Sequence, residues 1–173
     1  MSDLRTATRE IHRLAEQTPF AQALIKGTLS AQHWALYLYN QHSAYAAIES
    51  RVKFDIPDMQ RSANILRDIA AIDQPGAMIL TDAARLYVDH VLTLPEDLLW
   101  SHVYVRYMGD LAGGQLIKKL YAKHPHSVLE FNDSTATIAY IRSKVADADR
   151  AEAVRCFESV IEHFKQLGQL MQI

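Results

Sequence analysis

Only five prolines and six glycines punctuate this 173-residue chain, and between them apolar residues return every three to four positions. That period marks helices buried on one face, and no alternating stretch longer than four residues offers a strand. The pattern predicts an all-α fold, a single-domain helical bundle over residues 1–173 with about seven or eight helices. Leu4, Ala7, Thr8, Ile11, Leu14 and Ala15 mark the first helix, which must end before Pro19. A short helical segment over 20–26 stops at Gly27. Ser30 is the expected N-cap of a long helix reaching about Phe54, where "DIPD" breaks it. Further helices are expected over 59–71 and 77–91. Pro95, Glu96 and Asp97 read as a helix start, and that helix is expected to run to Lys123. Ser134 and Asp149 are expected to cap the last two, Asp149 with Glu152 as a capping box.

One of these helices contains a contradiction. In "YVRYMGDLAGGQLIKKLYAK", residues 104–123, Gly109, Gly113 and Gly114 put half of the chain's glycines within six positions. Each costs roughly 1 kcal/mol against alanine in a helix interior. Gly109 and Gly113 lie about 40° apart on a helical wheel. Close helix packing would explain them, but not Asp110 and Arg106 beside them. The alternative is a wall where backbone approaches a flat ligand and Asp110 holds ordered water. A plainer account of Asp110 is a surface pair with Arg106, one turn before it.

The first helix holds a second polar feature. Arg5, Arg9, His12 and Glu16 follow one another at intervals of 4, 3 and 4, so they form one stripe beside the apolar face. A solvated face with an incidental histidine is the plain reading. The functional one makes neutral His12 a metal ligand and Glu16 the acceptor of its other N–H, which fixes the tautomer. The two arginines would then meet something anionic, and a metal with one histidine and two carboxylates suggests haem.

Composition excludes several alternatives. Formal net charge is −2 with no basic cluster, which gives nucleic-acid binding no support. A single cysteine, Cys156, rules out a disulfide framework or a multi-cysteine metal site. The charged N-terminus lacks the apolar core of a signal peptide, and no apolar run reaches the ~18 residues of a membrane helix. A cytoplasmic protein without a membrane anchor, and a monomer, are the expectations.

Together these residues resemble the haem oxygenase family. "RYMGDLAGGQ", residues 106–115, is similar to its distal-helix signature, and "LRTATREIHRLAE" to its proximal helix. "YAAIES" and "YIRSK" fall in the family's order and spacing, so the resemblance spans the chain. It implies haem held between a proximal and a glycine-rich distal helix. It also implies cleavage of haem, with O₂ and reducing equivalents, to biliverdin, CO and Fe²⁺ by self-hydroxylation of a porphyrin meso carbon.

Residue by residue, the resemblance makes His12 the axial iron ligand and Glu16 its orienting partner. Arg5, Arg9, Tyr104 and Arg142 would meet the propionates. Gly109, Gly113 and Gly114 would lie over the ring, with Asp110, Tyr45 and Arg106 in a distal water network. Ala112 replaces the family's usual serine, and Ile138 stands where animal members carry a lysine. His102 reads as structural. The chain shows no flavin, nicotinamide or iron–sulfur motif, so an external donor is implied. A ferredoxin or an NAD(P)H-dependent reductase would dock near Arg9, Lys118, Lys119 and Lys123. The competing readings are a non-enzymatic haem binder on the same fold and a helical interaction domain.

Overall fold

A computed structural model describes residues 4–145 and 148–173. Among them nine α-helices appear and no strand: α1 (Leu4–Glu16), α2 (Pro19–Ile25), α3 (Ala31–Arg51), α4 (Ser62–Ala70), α5 (Asp82–Thr93), α6 (Glu96–Ala112), α7 (Gly114–Leu120), α8 (Ser134–Lys144) and α9 (Arg150–Met171).

The capping residues set most of these starts. Ser30, Thr81 and Asp149 each accept a bond from the N–H three residues on, and Pro19 opens α2 at its first position. Several details differ from the periodicity: α3 ends at Arg51 rather than near Phe54, and α4 begins at Ser62 rather than 59, where a separate single turn lies. α5 begins at the Thr81 cap rather than near 77. Asp133, not Ser134, caps α8 by accepting from the Ala136 N–H. The expected capping box at Asp149 is half made, because the Glu152 carboxylate turns instead to His90 and His102.

The long helix expected over 95–123 is interrupted at Gly113, which is why nine helices are found among the described residues where about seven or eight were expected. The Gln115 side chain donates to the Asp110 carbonyl at 3.1 Å and to the Leu129 carbonyl at 3.1 Å. A side chain that takes a carbonyl from the helical ladder is a recognised cause of such breaks.

α9 is the spine of the bundle, with α1, α2, α5 and α6 packed on it, while α3 packs on α4, α5 and α6. Trp34 stacks on Tyr121 with ring centroids 4.6 Å apart and donates its indole N–H to the Pro125 carbonyl. The segment after α7 is pinned from α4 and its approach. Arg61, almost fully buried, donates to the Ser127, Val128 and Glu130 carbonyls and lies over Phe131. Asp68 accepts the N–H groups of Ser127 and Val128 at 2.8 and 2.9 Å. These contacts fix Val128 and Leu129 against one end of a cavity.

Candidate functional site

A cavity of about 270 Å³ lies between α1, α3, the α6–α7 break and α9. His12, Glu16 and Phe157 contribute to one part of its lining, Gly109, Asp110 and Gly113 to another, and Tyr37, Gln41, Tyr45 and Arg106 also line it. Most of the remaining lining is apolar, as suits a flat organic ligand with few polar anchors.

On α1 the His12 ring stands edge-on to Phe157, centroids 5.5 Å apart at 88°. Its Nδ1 is 3.7 Å from Glu16 Oε1, and both side chains are about half exposed, at 54% and 56%. That separation exceeds a hydrogen bond, so Glu16 is near the imidazole without holding it, and Phe157 packs edge-on beside it. Arg5 and Arg9 are exposed on the same helix, Arg142 is exposed on α8, and Tyr104 is half-buried on α6. None of these four lines the cavity.

The opposite wall is more tightly organised. The Tyr45 hydroxyl, carried by α3, donates to Asp110 Oδ2. Burial raises the Asp110 carboxyl to about 6, against the lowering effect of the Tyr45 bond and of the Arg61 and Arg106 charges. Burial and the adjacent Asp110 charge hold the Tyr45 phenol well above its ordinary range, so it remains a donor. Arg106 does not pair with Asp110 as a surface neighbour would. Its Nε donates to the Tyr87 hydroxyl at 2.9 Å and its Nη1 to Gln41 Oε1 at 3.2 Å, with the guanidinium 4.1 Å from the Tyr87 ring centre.

The three glycines separate into different roles. None has a positive φ, so backbone conformation does not require them. A Cβ on Gly109 would meet nothing within 4 Å, so this glycine keeps the cavity open. One on Gly114 would lie 3.0 Å from Leu129 Cδ2 and 3.5 Å from Asp110 Cβ, so that glycine admits the pinned segment. Gly113 has only the Gly109 carbonyl nearby, at 3.5 Å.

Behind Arg106 a buried chain continues. The Tyr87 hydroxyl lies 3.0 Å from His102 Nδ1, His102 Nε2 lies 2.9 Å from Glu152 Oε1, and the same oxygen is 2.6 Å from His90 Nε2. Burial lowers His102 to about 4, and it lies outside the cavity lining, as a structural histidine should. His90, His102 and Glu152 have ligand-type atoms within 4.8 Å of one another. Their separations of 2.6 and 2.9 Å are hydrogen-bond lengths, and the triad is satisfied as it stands.

Tyr87, Gln41 and Phe157 were not found from the sequence. They reach the site from α5, α3 and α9, and no local spacing connects them to Arg106 or His12.

The sequence profile of the family described as Heme oxygenase matches residues 1–165. The chain belongs to the haem oxygenase family. It is 26% identical to haem oxygenase 2 of Synechocystis sp. over 175 aligned residues, covering 91% of this chain and 68% of that one. It is 31% identical to haem oxygenase 1 of Bos taurus, covering 69% of this chain and 47% of the bovine one. The chain therefore spans about half the length of that relative. Among solved structures, haem oxygenase-1 of Synechocystis sp. in complex with haem superposes with a TM-score of 0.83 at 25% identity, covering 99% of this chain and 93% of that one. The haem oxygenase of Leptospira interrogans gives 0.82 at 25% identity, over 94% and 97%.

The residues present fit a haem. A histidine lines a mostly apolar cavity, and the position where a Cβ would intrude on open space is a glycine, Gly109.

Proposed function

We propose that this protein is a haem oxygenase that converts haem, O₂ and electrons to biliverdin, CO and Fe²⁺. The observation that carries this reading is one cavity shared by His12, the side-chain-free surface at Gly109, and the Asp110–Tyr45 pair. Haem serves as substrate and supplies the iron at which O₂ is activated and the meso carbon that is oxidised.

The chain's own residues bind, orient and deliver protons. His12 holds the iron from α1, with Phe157 limiting rotation of the imidazole and Glu16 adding negative charge nearby. Gly109 admits the ring face, with Gly113 and Gly114 beside it. Asp110, raised to about 6, exchanges a proton near neutral pH, and Tyr45 fixes which carboxylate oxygen is engaged. A water held by that carboxylate then carries protons at a controlled distance. Arg106 keeps positive charge in the same wall. Arg5, Arg9, Tyr104 and Arg142 lie outside the cavity lining and are proposed to meet the propionates beyond it.

Electrons come from an external ferredoxin or NAD(P)H-dependent reductase. Lys118 sits 3.5 Å from Glu130, which leaves Arg9, Lys119 and Lys123 as the freer part of the docking face. No helix among the described residues is long and apolar enough to cross a membrane; the working form proposed is a cytoplasmic monomer.

The test is an optical titration with hemin followed by reductant under air, for wild type and His12→Ala. Wild type should lose its Soret band and gain a broad red biliverdin band. His12→Ala should keep its helical content but lose the histidine–iron spectrum and turnover. A stable spectrum with no bleaching would make the protein a haem binder instead, and normal turnover in His12→Ala would remove the ligand assignment.

A further inference from the structure

Arg106 lines a second and much smaller cavity, shared with Asn40, Tyr87, Ser159 and His163. The chamber offers about 10 Å³ to the centre of a water molecule, close to the roughly 10–15 Å³ that one internal water occupies. His163 is 5% exposed, and its Nε2 is the buried side-chain polar atom that lacks a partner among the described residues. Buried polar groups without a partner are rare enough in native proteins that this one calls for an explanation.

The tautomer of the ring is set at its other nitrogen. Thr81 Oγ1 lies 2.9 Å from His163 Nδ1 and already accepts the Ala84 N–H at 3.1 Å. Its own hydroxyl proton can be given to Nδ1, and in that tautomer the ring proton sits on Nε2. Burial holds the ring neutral, lowering it to about 3. In that tautomer the unpartnered group is an N–H donor that needs an acceptor, and in the other it is an acceptor that needs a donor.

The other lining groups complete the requirement. Arg106 has five N–H donors, of which the Tyr87 and Gln41 bonds use two. Ser159 Oγ donates to the Arg155 carbonyl at 3.1 Å and can still accept. Asn40 Oδ1 accepts the Thr81 N–H at 3.0 Å and has a second lone pair. Side chains with free donor and acceptor capacity lining one water-sized space supply the coordination an internal water needs.

We propose that one internal water occupies this chamber between His163 and Arg106, and that His163 acts through it as a positioning residue for the distal guanidinium. Water is the ligand that fits, since the lining offers both donors and acceptors in a volume for one molecule. The proposal extends the haem oxygenase reading only in giving Arg106 a role in the distal wall.

The test uses the full chain without haem. A high-resolution crystal structure should show one water within hydrogen-bond distance of His163 Nε2. In arginine ¹⁵N–¹H spectra, the Arg106 Nη–H groups should exchange with solvent about tenfold faster in His163→Leu than in wild type. His163→Gln, which returns an N–H donor, should restore slow exchange, whereas a purely packing role would favour leucine over glutamine. A dry chamber in the wild-type crystal, or exchange unchanged by His163→Leu, would overturn the proposal. If His163→Leu does not fold, the wild-type water and the wild-type-like exchange of His163→Gln decide the matter. None of these readouts involves haem, so a dry chamber in a chain that still cleaves haem defeats only this proposal.

Discussion

Adding one methyl group at Gly109 and at Gly114 separates the two uses of glycine in the distal wall. At Gly109 a Cβ enters open cavity space. Gly109→Ala should therefore stabilise the apo protein by about 0.8–1 kcal/mol, the helix-propensity difference, while weakening hemin binding. Thermal unfolding and hemin titration on the same variant check both halves. A variant that loses stability, or binds hemin as before, would show that the position serves packing instead. Gly114→Ala should instead lower the stability of the apo protein, since its Cβ would press on Leu129 at 3.0 Å and the cost depends on how far that side chain can turn.

At this scale the sequence was partly legible. His12, Gly109 and Asp110 could be read because their spacing within single helices is itself the signal, and all three line the cavity. The partner of Arg106 could not. A neighbour one turn along the helix is the only one a local reading offers, whereas the structure supplies Tyr87 from α5 and Gln41 from α3. Contacts across 19 and 65 residues of sequence depend on how helices pack, and periodicity does not encode that.

Among the elements, the break between α6 and α7 depends on Gln115 as much as on glycine. Its amide bridges the Asp110 carbonyl in the helix to the Leu129 carbonyl in the segment pinned by Arg61. Gln115→Leu removes both bonds and leaves two partly buried carbonyls without this donor. The expected loss is about 1–3 kcal/mol, measured by urea unfolding, together with weaker hemin binding as Leu129 drifts. Unchanged stability would mean that glycine alone makes the break. The periodic pattern read straight through this point because Gln115 is a good helix former, and nothing local shows where its amide goes. The helix starts at Ser30 and Asp149 were legible for the opposite reason, since a cap acts on residues three positions away.

For the molecule as a whole, three buried groups pull its acid stability in two directions. The Asp110 carboxyl is raised from 3.8 to about 6, so the native state takes up its proton first and this group adds stability as pH falls through that window. His102, lowered to about 4, and His163, lowered to about 3, do the opposite. The unfolded chain protonates both below about 6.5, and their contribution is lost as pH falls towards their folded values. Between pH 6 and 4 two protons favour the unfolded state and one favours the native. Stability should then fall by about 1.4 kcal/mol per pH unit, read from urea midpoints at pH 6 and 4.5. A midpoint that rises on acidification would contradict neutral burial of the two histidines.

Because Arg106 lines both the large cavity and the small chamber, one side chain is the partition between two rooms. Truncating it merges them into a single space and also removes a charge. An Arg106→Ala phenotype would therefore report demolition of a wall as much as loss of a proton partner. Arg106→Met keeps much of the bulk and drops the charge, while Arg106→Lys keeps the charge and gives up the planar fork. Only the pair, compared with each other, separates architecture from electrostatics at this position.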